Sequence, residues 1–475
     1  MAITKIKSCL ALAFGLILCV NLVLAELPEP LTKSLQAERL PQDGVSVFVQ
    51  QIGEPQPAIN HRSDLPLNPA STMKLLTTYA GLELLGPAYV WHTEVYSDGA
   101  LKNGVLEGNL ILKGHGDPVL DLESFWHLLS NLRQVGVREI RGDLVLDHSY
   151  FAPIVDVPGA FDGEPSRAYN AVPDALLVNL KATSFHFQGN TQNGKPAISA
   201  EPDFPQIKII NRLTPNQGLC QNWKDKLDYK VTSQGEDVTV TFSGNYAAAC
   251  DEKYLDLSLF DGSVYTFNLF RQLWQQLGGS FQGKLKTGEV PVTAQKLLDH
   301  ASLPSADVIR RINKYSNNLM ARQLLLTIAA ERSGVPATVE GARKAISDWL
   351  LSKRLDMPEL VLENGSGLSR IERISARHLG ELLLAAYASP VMPELISSLP
   401  VLSVDGTVKK RQTDSQFQGR AHLKTGSLDG VSALAGYMLD EKGRRWVIVF
   451  IANHPRAAFS RQAQDALLEW VYRHE

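Results

Sequence analysis

A serine and a lysine three residues apart could form a nucleophile and its base. The chain reads Ser71-Thr-Met-Lys74, and no other serine in it is followed by a lysine three residues later. Positions i and i+3 of a helix share a face, so the hydroxyl is expected beside the amine. A serine needs such a neighbouring base, and a lysine can act as one when burial or positive charge lowers its pKa. Taken alone, the pattern is more typical of a serine N-cap on a solvated helix face.

A second candidate element is Tyr315-Ser316-Asn317-Asn318, at the head of a helical stretch. A hydroxyl and a carboxamide two residues apart suit a short turn in which both point into a cleft. Ser316 could relay a proton there, and Asn318 could hold a substrate amide or orient a lysine. Serine and asparagine are also common in helix caps and turns, so this element by itself is weak evidence for a site.

The third element is Lys424-Thr425-Gly426, on a predicted strand. The lysine offers a cation for a substrate carboxylate, the threonine a hydroxyl donor, and the glycine a close approach of the backbone. The tripeptide alone is equally typical of an exposed strand end.

Two similar patterns are interpreted as coincidental. Lys286-Thr287-Gly288 precedes the serine–asparagine element, and the apolar strand after Lys424 has no counterpart there. Ser243-Gly-Asn245 lies at a strand-to-turn position without a following helix.

In order along the chain, the three elements resemble the active-serine set of penicillin-binding proteins and serine β-lactamases. Longer stretches are similar to the class C penicillin-binding proteins, and they are YNAVPDAL (169–176), ENGSGLSR (363–370), VDGT (404–407) and HLKTGSLDGVSALAG (422–436). Ser71 and Ser316 lie 245 residues apart, which leaves room for the inserted domains of this class. Two departures concern turn geometry: Asn364 stands where the family usually has Asp, and His115 interrupts a glycine-rich stretch.

The resemblance implies a D-alanyl-D-alanine carboxypeptidase that also acts as an endopeptidase on peptidoglycan cross-links. It implies the catalytic residues Ser71, Lys74, Ser316, Asn318 and Lys424, and the substrate-binding residues Thr425, Gly426 and Ser427. Ser71 would form an acyl-enzyme after Lys74 takes its proton. Lys424 and Thr425 would bind the terminal carboxylate. The backbone N–H groups of Ser71 and Ser427 would form the oxyanion hole.

The implied partners are peptidoglycan stem peptides ending in D-Ala-D-Ala, with β-lactams as covalent inhibitors and with no metal or cofactor. Lys+Arg 47 against Asp+Glu 50 gives a net charge of −3, so nucleic acid is not an expected partner. Two alternatives stay open. One is a catalytically silent protein that binds peptidoglycan or β-lactams, and the other is a β-lactamase or esterase on the same fold.

The elements that would position these residues are mixed. Helical spacing predicts helices at 69–86, 123–135, 265–277, 305–351, 375–387 and 461–472. Alternating or apolar runs predict strands at 206–210, 238–242, 421–425, 431–439 and 446–452.

The predicted fold is α+β, a transpeptidase-like domain in which helices flank an antiparallel sheet. We expect a discontinuous catalytic domain at 26–90 and 265–475, interrupted by a β-rich insert of two subdomains at 91–264. The composition, 44% hydrophobic and 20% charged in 475 residues, is that of a globular protein.

The N-terminus predicts export. Lys5 and Lys7 precede an apolar run that ends in Val-Leu-Ala25, as in a cleaved signal peptide, with an uncleaved anchor as the rival reading. We therefore expect a periplasmic protein without a membrane span after cleavage. Peripheral association with the wall or the membrane stays open.

The two cysteines that follow the signal are Cys220 and Cys250. In an oxidising compartment they suggest a disulfide, and the alternative is a pair of buried free thiols.

Overall fold

The computed structural model describes residues 27–189 and 195–474, so the predicted signal peptide lies outside the described residues. No helix within these ranges is long and apolar enough to cross a membrane. The helices are α1 (Glu29–Ala37), α2 (Lys74–Leu84), α3 (Leu122–Gln134), α4 (Gly262–Gln276), α5 (Ser305–Tyr315), α6 (Asn318–Ser333), α7 (Val339–Ser352), α8 (Ala376–Tyr387), α9 (Met392–Ser398) and α10 (Arg461–Tyr472).

The strands range in length from 2 to 11 residues. They are β1 (Val45–Gln51), β2 (Ile59–His61), β3 (His92–Ser97), β4 (Leu101–Lys102), β5 (Val105–Leu106), β6 (Leu110–Gly114), β7 (Glu139–Ile140), β8 (Leu144–Asp147), β9 (Thr183–Gln188), β10 (Ala197–Glu201), β11 (Ile207–Asn211), β12 (Thr214–Asn216), β13 (Leu227–Gln234), β14 (Asp237–Ala247), β15 (Glu252–Leu257), β16 (Ser280–Phe281), β17 (Leu285–Thr287), β18 (Gln295–Ala301), β19 (Ala421–Leu428), β20 (Val431–Leu439) and β21 (Arg445–Asn453).

An antiparallel sheet joins the two ends of the chain, with strand order β19-β20-β21-β1-β2. Successive side chains of a strand point to opposite faces, and here both faces are covered by helices. On β1, Phe48 packs into the core formed with α2 and α5 to α9. Its neighbours Val47 and Val49 pack on the other face with α1 and α10. Burial on both faces explains why the inner strands β20 and β21 are almost continuously apolar in sequence.

Two packed helices position the candidate site. Lys74 is the first residue of α2, and Asn318 is the first residue of α6. The helices approach closely at Gly81, where a Cβ would lie 3.0 Å from the Leu324 side chain. A side chain at 81 would require Leu324 to give way by a few tenths of an ångström.

The first part of the insert contains a sheet with strand order β17-β8-β6-β3-β18 and a smaller one with order β16-β7-β5-β4. Helices α3 and α4 bury Phe125, Leu129, Leu269 and Phe270 in the same core as the strands.

The second part of the insert is all β, with strands β9 to β15 around an aromatic cluster of Phe185, Phe187 and Phe242. A disulfide bond joins Cys220 and Cys250 in this part of the insert. The bond connects the segment before β13 to the segment before β15.

The predicted domain boundary at 265 differs from the packing. Helix α4 contributes Tyr265 and Leu273 to the core of the insert, and β18 pairs with β3, with His300 opposite Thr93. Residues 265–301 therefore pack with the insert, and the helices around the central sheet resume with α5 at Ser305. Helical spacing correctly predicted a helix at 265–277. Helical spacing indicates which face of a helix is buried but not which domain that face packs against. The predicted boundary therefore placed α4 in the catalytic domain, whereas it packs with the insert.

Candidate active site

Ser71 lies in a 3₁₀ turn, Ala70–Met73, that runs directly into α2. The turn brings Oγ of Ser71 to 3.0 Å from Nζ of Lys74. The predicted side-by-side arrangement of hydroxyl and amine is therefore present. Ser71 is partly exposed and Lys74 is fully buried, so a substrate can reach the hydroxyl but not the amine.

Two further groups surround the Lys74 amine. Nζ lies 2.7 Å from Oδ1 of Asn318 and also contacts the backbone carbonyl of Ser366. Burial lowers the pKa of Lys74 well below its usual value, and the charge of Lys424 lowers it further, against an opposing effect of Glu372. The neutral amine is thereby favoured.

The three contacts determine the direction of the hydrogen bond to Ser71. A neutral amine has two N–H donors and one lone pair. The oxygens of Asn318 and Ser366 can only accept, so they take the two N–H groups. The lone pair is then left for the hydroxyl of Ser71, which donates its proton to Nζ. This is the geometry that a general base requires.

Ser316 and Asn318 occupy the tight turn between α5 and α6. Ser316 ends α5 in the left-handed region, with φ of 56°, and Asn317 caps α6 by accepting from the N–H of Met320. The two side chains of this turn hydrogen-bond to different lysines. Asn318 contacts Lys74, and Ser316 contacts Lys424. The pattern predicted from sequence is therefore brought together with both other motifs.

Lys424 is fully buried on β19, and its Nζ donates to Oγ of Ser316 at 2.7 Å and to the carbonyl of Thr425 at 2.9 Å. Burial lowers the pKa of Lys424 to about 7. Both protonation states are therefore accessible at neutral pH. The amine does not lie open in the cleft, as a purely substrate-binding cation would.

Strand β19 is the edge strand of its sheet and packs beside the turn that carries Ser71. An edge strand has a row of backbone groups without a partner strand, which an extended peptide can use. Thr425 and Ser427 lie on this strand, and the hydroxyl of Thr425 donates to Oγ1 of Thr407 at 2.9 Å.

Two glycines enclose the backbone at Ser71. A Cβ on Gly367, whose φ is +80°, would lie 1.9 Å from the carbonyl oxygen of Ala70. A Cβ on Gly426 would lie 2.7 Å from the carbonyl oxygen of Pro69 and 3.0 Å from the nitrogen of Ser71. The close approach expected of Gly426 is thus an approach to the turn that carries the serine.

Glu372 is a buried residue at the site that the sequence analysis missed. Its Oε1 accepts three backbone N–H groups, from Glu363 at 3.1 Å and from Asn364 and Gly365 at 2.9 Å. Oε2 makes no hydrogen bond within the described residues. Burial raises the pKa of Glu372, although the three N–H donors and the charge of Lys74 act against this. The residue holds the turn that presents the Ser366 carbonyl to Lys74. No sequence signal distinguishes it from the surface glutamates.

The two departures from the family pattern are accommodated locally. Asn364 Oδ1 accepts from the backbone N–H and the hydroxyl of Ser366, at 2.9 and 2.7 Å, and its Nδ2 donates to the Leu368 carbonyl at 3.0 Å. His115 lies 3.0 Å from a carboxylate oxygen of Glu94. Asn364 thereby closes its own turn, whereas His115 is held against strand β3.

The two coincidental patterns lie in the insert. Lys286, on β17, pairs with Asp143 at 2.8 Å. Ser243-Gly-Asn245 lies within β14. In residues 27–189 and 195–474, no group of three or more His, Cys, Asp and Glu side chains could hold a metal ion.

Comparison with known proteins gives a consistent result. The D-Ala-D-Ala carboxypeptidase 3 (S13) family matches residues 27–474. D-alanyl-D-alanine carboxypeptidase DacB of Haemophilus influenzae is 26% identical over 424 residues, which is 88% of this chain and 87% of the relative. A D-alanyl-D-alanine carboxypeptidase of an Actinomadura species is 29% identical over 79% of this chain and 72% of its own.

Solved structures agree with this result. Penicillin binding protein 4 (dacB) from Haemophilus influenzae superposes with a TM-score of 0.76 at 25% identity, covering 92% of this chain and 99% of its own. The same protein in complex with a β-lactam gives a TM-score of 0.72 over the same shares of the two chains.

Proposed function

Because the chain belongs to the D-Ala-D-Ala carboxypeptidase 3 (S13) family, we propose that its peptidase reaction runs through an acyl-enzyme on Ser71. The protein is a serine-type D-Ala-D-Ala carboxypeptidase, a penicillin-binding protein that acts on peptidoglycan. The observation that carries the assignment to Ser71 is its 3.0 Å contact with a buried lysine whose other two partners are oxygen acceptors.

Acylation begins with transfer of the Ser71 proton to Nζ of Lys74. Oγ attacks the carbonyl carbon of the penultimate D-alanine, and the carbonyl oxygen becomes an oxyanion. The backbone N–H groups of Ser71 and Ser427 stabilise this charge, and a single such donor is typically worth about 3–4 kcal/mol. Burial of Lys74 supports its role, because an amine with its ordinary pKa would be charged at neutral pH and could not accept the proton.

The leaving amine must gain a proton as the C–N bond breaks. Ser316 supplies it, and the proton is replaced through its hydrogen bond to Lys424. Asn318 keeps Lys74 oriented toward Ser71 through its 2.7 Å contact. Water then attacks the acyl-enzyme, and its proton passes through Ser316 to Lys424, which lost one during acylation. Lys74 returns its proton to Oγ of Ser71 as the ester C–O bond breaks, and the shortened peptide leaves as a carboxylic acid with both lysines and Ser71 restored.

The substrate carboxylate is bound at β19. Thr425 supplies a hydroxyl there, and Gly426 allows the strand to lie close to the turn that carries Ser71. Lys424 acts on the carboxylate through its charge rather than by direct exposure, because its amine is buried behind Ser316 and Thr425.

β-Lactams mimic the D-alanyl-D-alanine amide, so they should acylate Ser71. The related penicillin binding protein 4 has been solved in complex with a β-lactam. We also propose that the chain is exported to the periplasm, that its signal is cleaved after Ala25, and that Cys220 and Cys250 are oxidised there.

Intact-mass spectrometry with and without benzylpenicillin, followed by peptide mapping, tests the proposal. A stable adduct on the peptide that contains Ser71 is the expected result, together with release of D-alanine from a pentapeptide. Ser71→Ala should lose both, whereas Ser352→Ala, an exposed serine beside a lysine at the end of α7, should keep both.

Three outcomes would contradict it. Penicillin hydrolysed without an adduct would indicate a β-lactamase. Intact penicillin with no adduct and no D-alanine release would indicate a silent binding protein. Activity retained by Ser71→Ala would exclude this serine as the nucleophile.

A further inference from the structure

A cavity of about 320 Å³ begins at Ser316 and ends at the insert. Its wall on the catalytic side is formed by Tyr315 to Leu319, where α5 meets α6. The opposite wall belongs to the insert and is lined by residues 167–169, Leu180, Ala182, Lys224 and residues 254–256. The cavity is therefore shared between the reaction centre and a part of the chain that carries none of the three catalytic motifs.

The position of Ser316 indicates which part of a substrate would enter. Under the proposed function, on which this inference rests, Ser316 protonates the leaving amine. The leaving side of the scissile bond must then face Ser316. When the leaving group is a single D-alanine, it ends at the carboxylate site on β19. When the bond is a peptide cross-link, the leaving group continues as a second peptide, which needs room beyond Ser316.

Charges on the insert wall suit a peptide that carries carboxylates. Lys224 is exposed on the short helix Trp223–Lys226 and forms no ion pair with a described residue. Nε of Arg167 is buried without a hydrogen bond among the described residues, and the carboxylate of Glu164 is 3.9 Å away. Asp256 is the acidic residue in the lining, and Glu164 offsets part of the charge of Arg167, so Lys224 is the lining cation without an ion pair among the described residues.

Three exposed tyrosines line the same cavity, and they are Tyr169, Tyr254 and Tyr315. Tyr315 is 75% exposed directly before Ser316, and Tyr254 is 55% exposed on β15. The ring of Tyr254 is held by stacking on His186, with centroids 4.6 Å apart and planes 7° from parallel. A ring held in this way offers contact area to a peptide at a low cost in conformational entropy.

We propose that this cavity binds the second peptide of a cross-link, the one that leaves after acylation of Ser71. Lys224 and Arg167 bind its carboxylates, and Tyr254 and Tyr315 pack against its backbone. The insert then determines specificity for cross-linked substrates, because a single D-alanine leaving group does not extend to Lys224.

The test compares two substrates, a purified cross-linked peptide dimer from peptidoglycan and the monomeric pentapeptide. For Lys224→Glu, kcat/KM for the dimer should fall about three- to fivefold, the upper part of the range for one exposed ion pair. Combined with Tyr254→Ala, the loss should reach roughly tenfold or more, as an aromatic contact is added to the ion pair. Release of D-alanine from the monomer should change less than about twofold, since surface substitutions away from a contact have small effects.

Lys226→Glu is the matched control. Lys226 is an exposed lysine on the same short helix, and it lies outside the cavity lining. The same charge reversal should leave both activities unchanged. An equal loss of dimer cleavage in Lys226→Glu would overturn the proposal, since long-range charge would then explain it.

The remaining outcomes are also decisive. An equal loss on dimer and monomer, or no loss on either, would overturn the cavity as a specificity site. So would a wild-type enzyme that releases D-alanine but does not cleave the dimer, although the proposed function would stand. Retention of both activities by Ser71→Ala would instead overturn the proposed function itself.

Discussion

Nζ of Lys424 lies 2.7 Å from Oγ of Ser316, although 108 residues separate them. This contact joins the edge strand of the central sheet to the turn between α5 and α6. Because Asn318 in the same turn contacts Lys74, one turn connects the two buried amines. Each lysine has a lowered pKa, and the charge of Lys424 contributes to the shift at Lys74.

Lys424→Arg should change the alkaline side of the pH profile. In the wild type, kcat/KM should rise with pH as Lys74 loses its proton. It should then fall as Lys424, with a pKa lowered by burial to about 7, loses its own. Arginine stays charged throughout, so the alkaline decline should disappear between about pH 5 and 10, even if the maximum rate is lower. D-alanine release from a pentapeptide measures this.

Lys409→Arg, at an exposed lysine, is the control for the arginine substitution. It should leave the wild-type profile unchanged. An alkaline decline that persists in Lys424→Arg would show that another group titrates there.

Glu372→Gln should move the acidic side of the profile to lower pH. The negative charge of Glu372 raises the pKa of Lys74 against the larger effect of burial. Removing that charge lowers the pKa of Lys74 further, so its proton is lost at lower pH. Glutamine keeps an oxygen for the three backbone N–H groups, so the turn should survive. The rate of acylation by benzylpenicillin, measured against pH, reports the shift.

Glu363→Gln removes an equal charge from the same loop and should not move the profile. Glu372→Ala removes the acceptor as well, and each buried N–H left without a partner costs about 1–3 kcal/mol. This variant should therefore lose stability in addition to activity. An acidic limb that stays in place in Glu372→Gln would exclude the charge coupling to Lys74.

Gly367→Ala should abolish acylation while leaving most of the fold intact. The added Cβ would overlap the carbonyl of Ala70 and displace the backbone that presents Ser71. Gly443→Ala is a matched control, because its φ of +81° is nearly the same and nothing lies within 4 Å. In both variants, an alanine in the left-handed region should lower the free energy of unfolding by about 1–2 kcal/mol.

Thermal unfolding and benzylpenicillin labelling separate the two effects. Gly367→Ala should unfold at a lower temperature than Gly443→Ala, because its Cβ must displace backbone, yet both should be folded at the assay temperature with labelling lost only in Gly367→Ala. Equal labelling of the two variants would show that the approach of Gly367 to Ala70 is not needed for the nucleophile.

Replacing both Cys220 and Cys250 by serine should destabilise the second part of the insert. The bond closes a loop with a sequence separation of 30 residues, and such loops are worth about 3–4 kcal/mol. Denaturant unfolding of the wild type, with and without a reductant, should show the same loss as the double variant. Wild-type protein purified from the periplasm with two titratable thiols would contradict the oxidised state.

Local sequence patterns were sufficient to predict many of the helices and strands and to identify the motif residues. Helical spacing correctly predicted helices around 69–86 and 461–472, and apolar runs predicted strands β19 to β21. Ser71 and Lys74 could be paired from sequence because i and i+3 neighbours on one turn are close whatever the rest of the chain does.

Tertiary structure decided what depends on contacts distant in sequence. The Ser366 carbonyl reaches Lys74 across 292 residues, and Glu372 acts through backbone N–H groups that any residue type would provide. Helix α4 has the same periodicity whether it packs on the insert or on the catalytic helices, so its place could not be read from spacing. The sequence determined which side chains could do the chemistry. Packing determined which acceptors surround each amine, and thus which lysine is left with a free lone pair facing the serine.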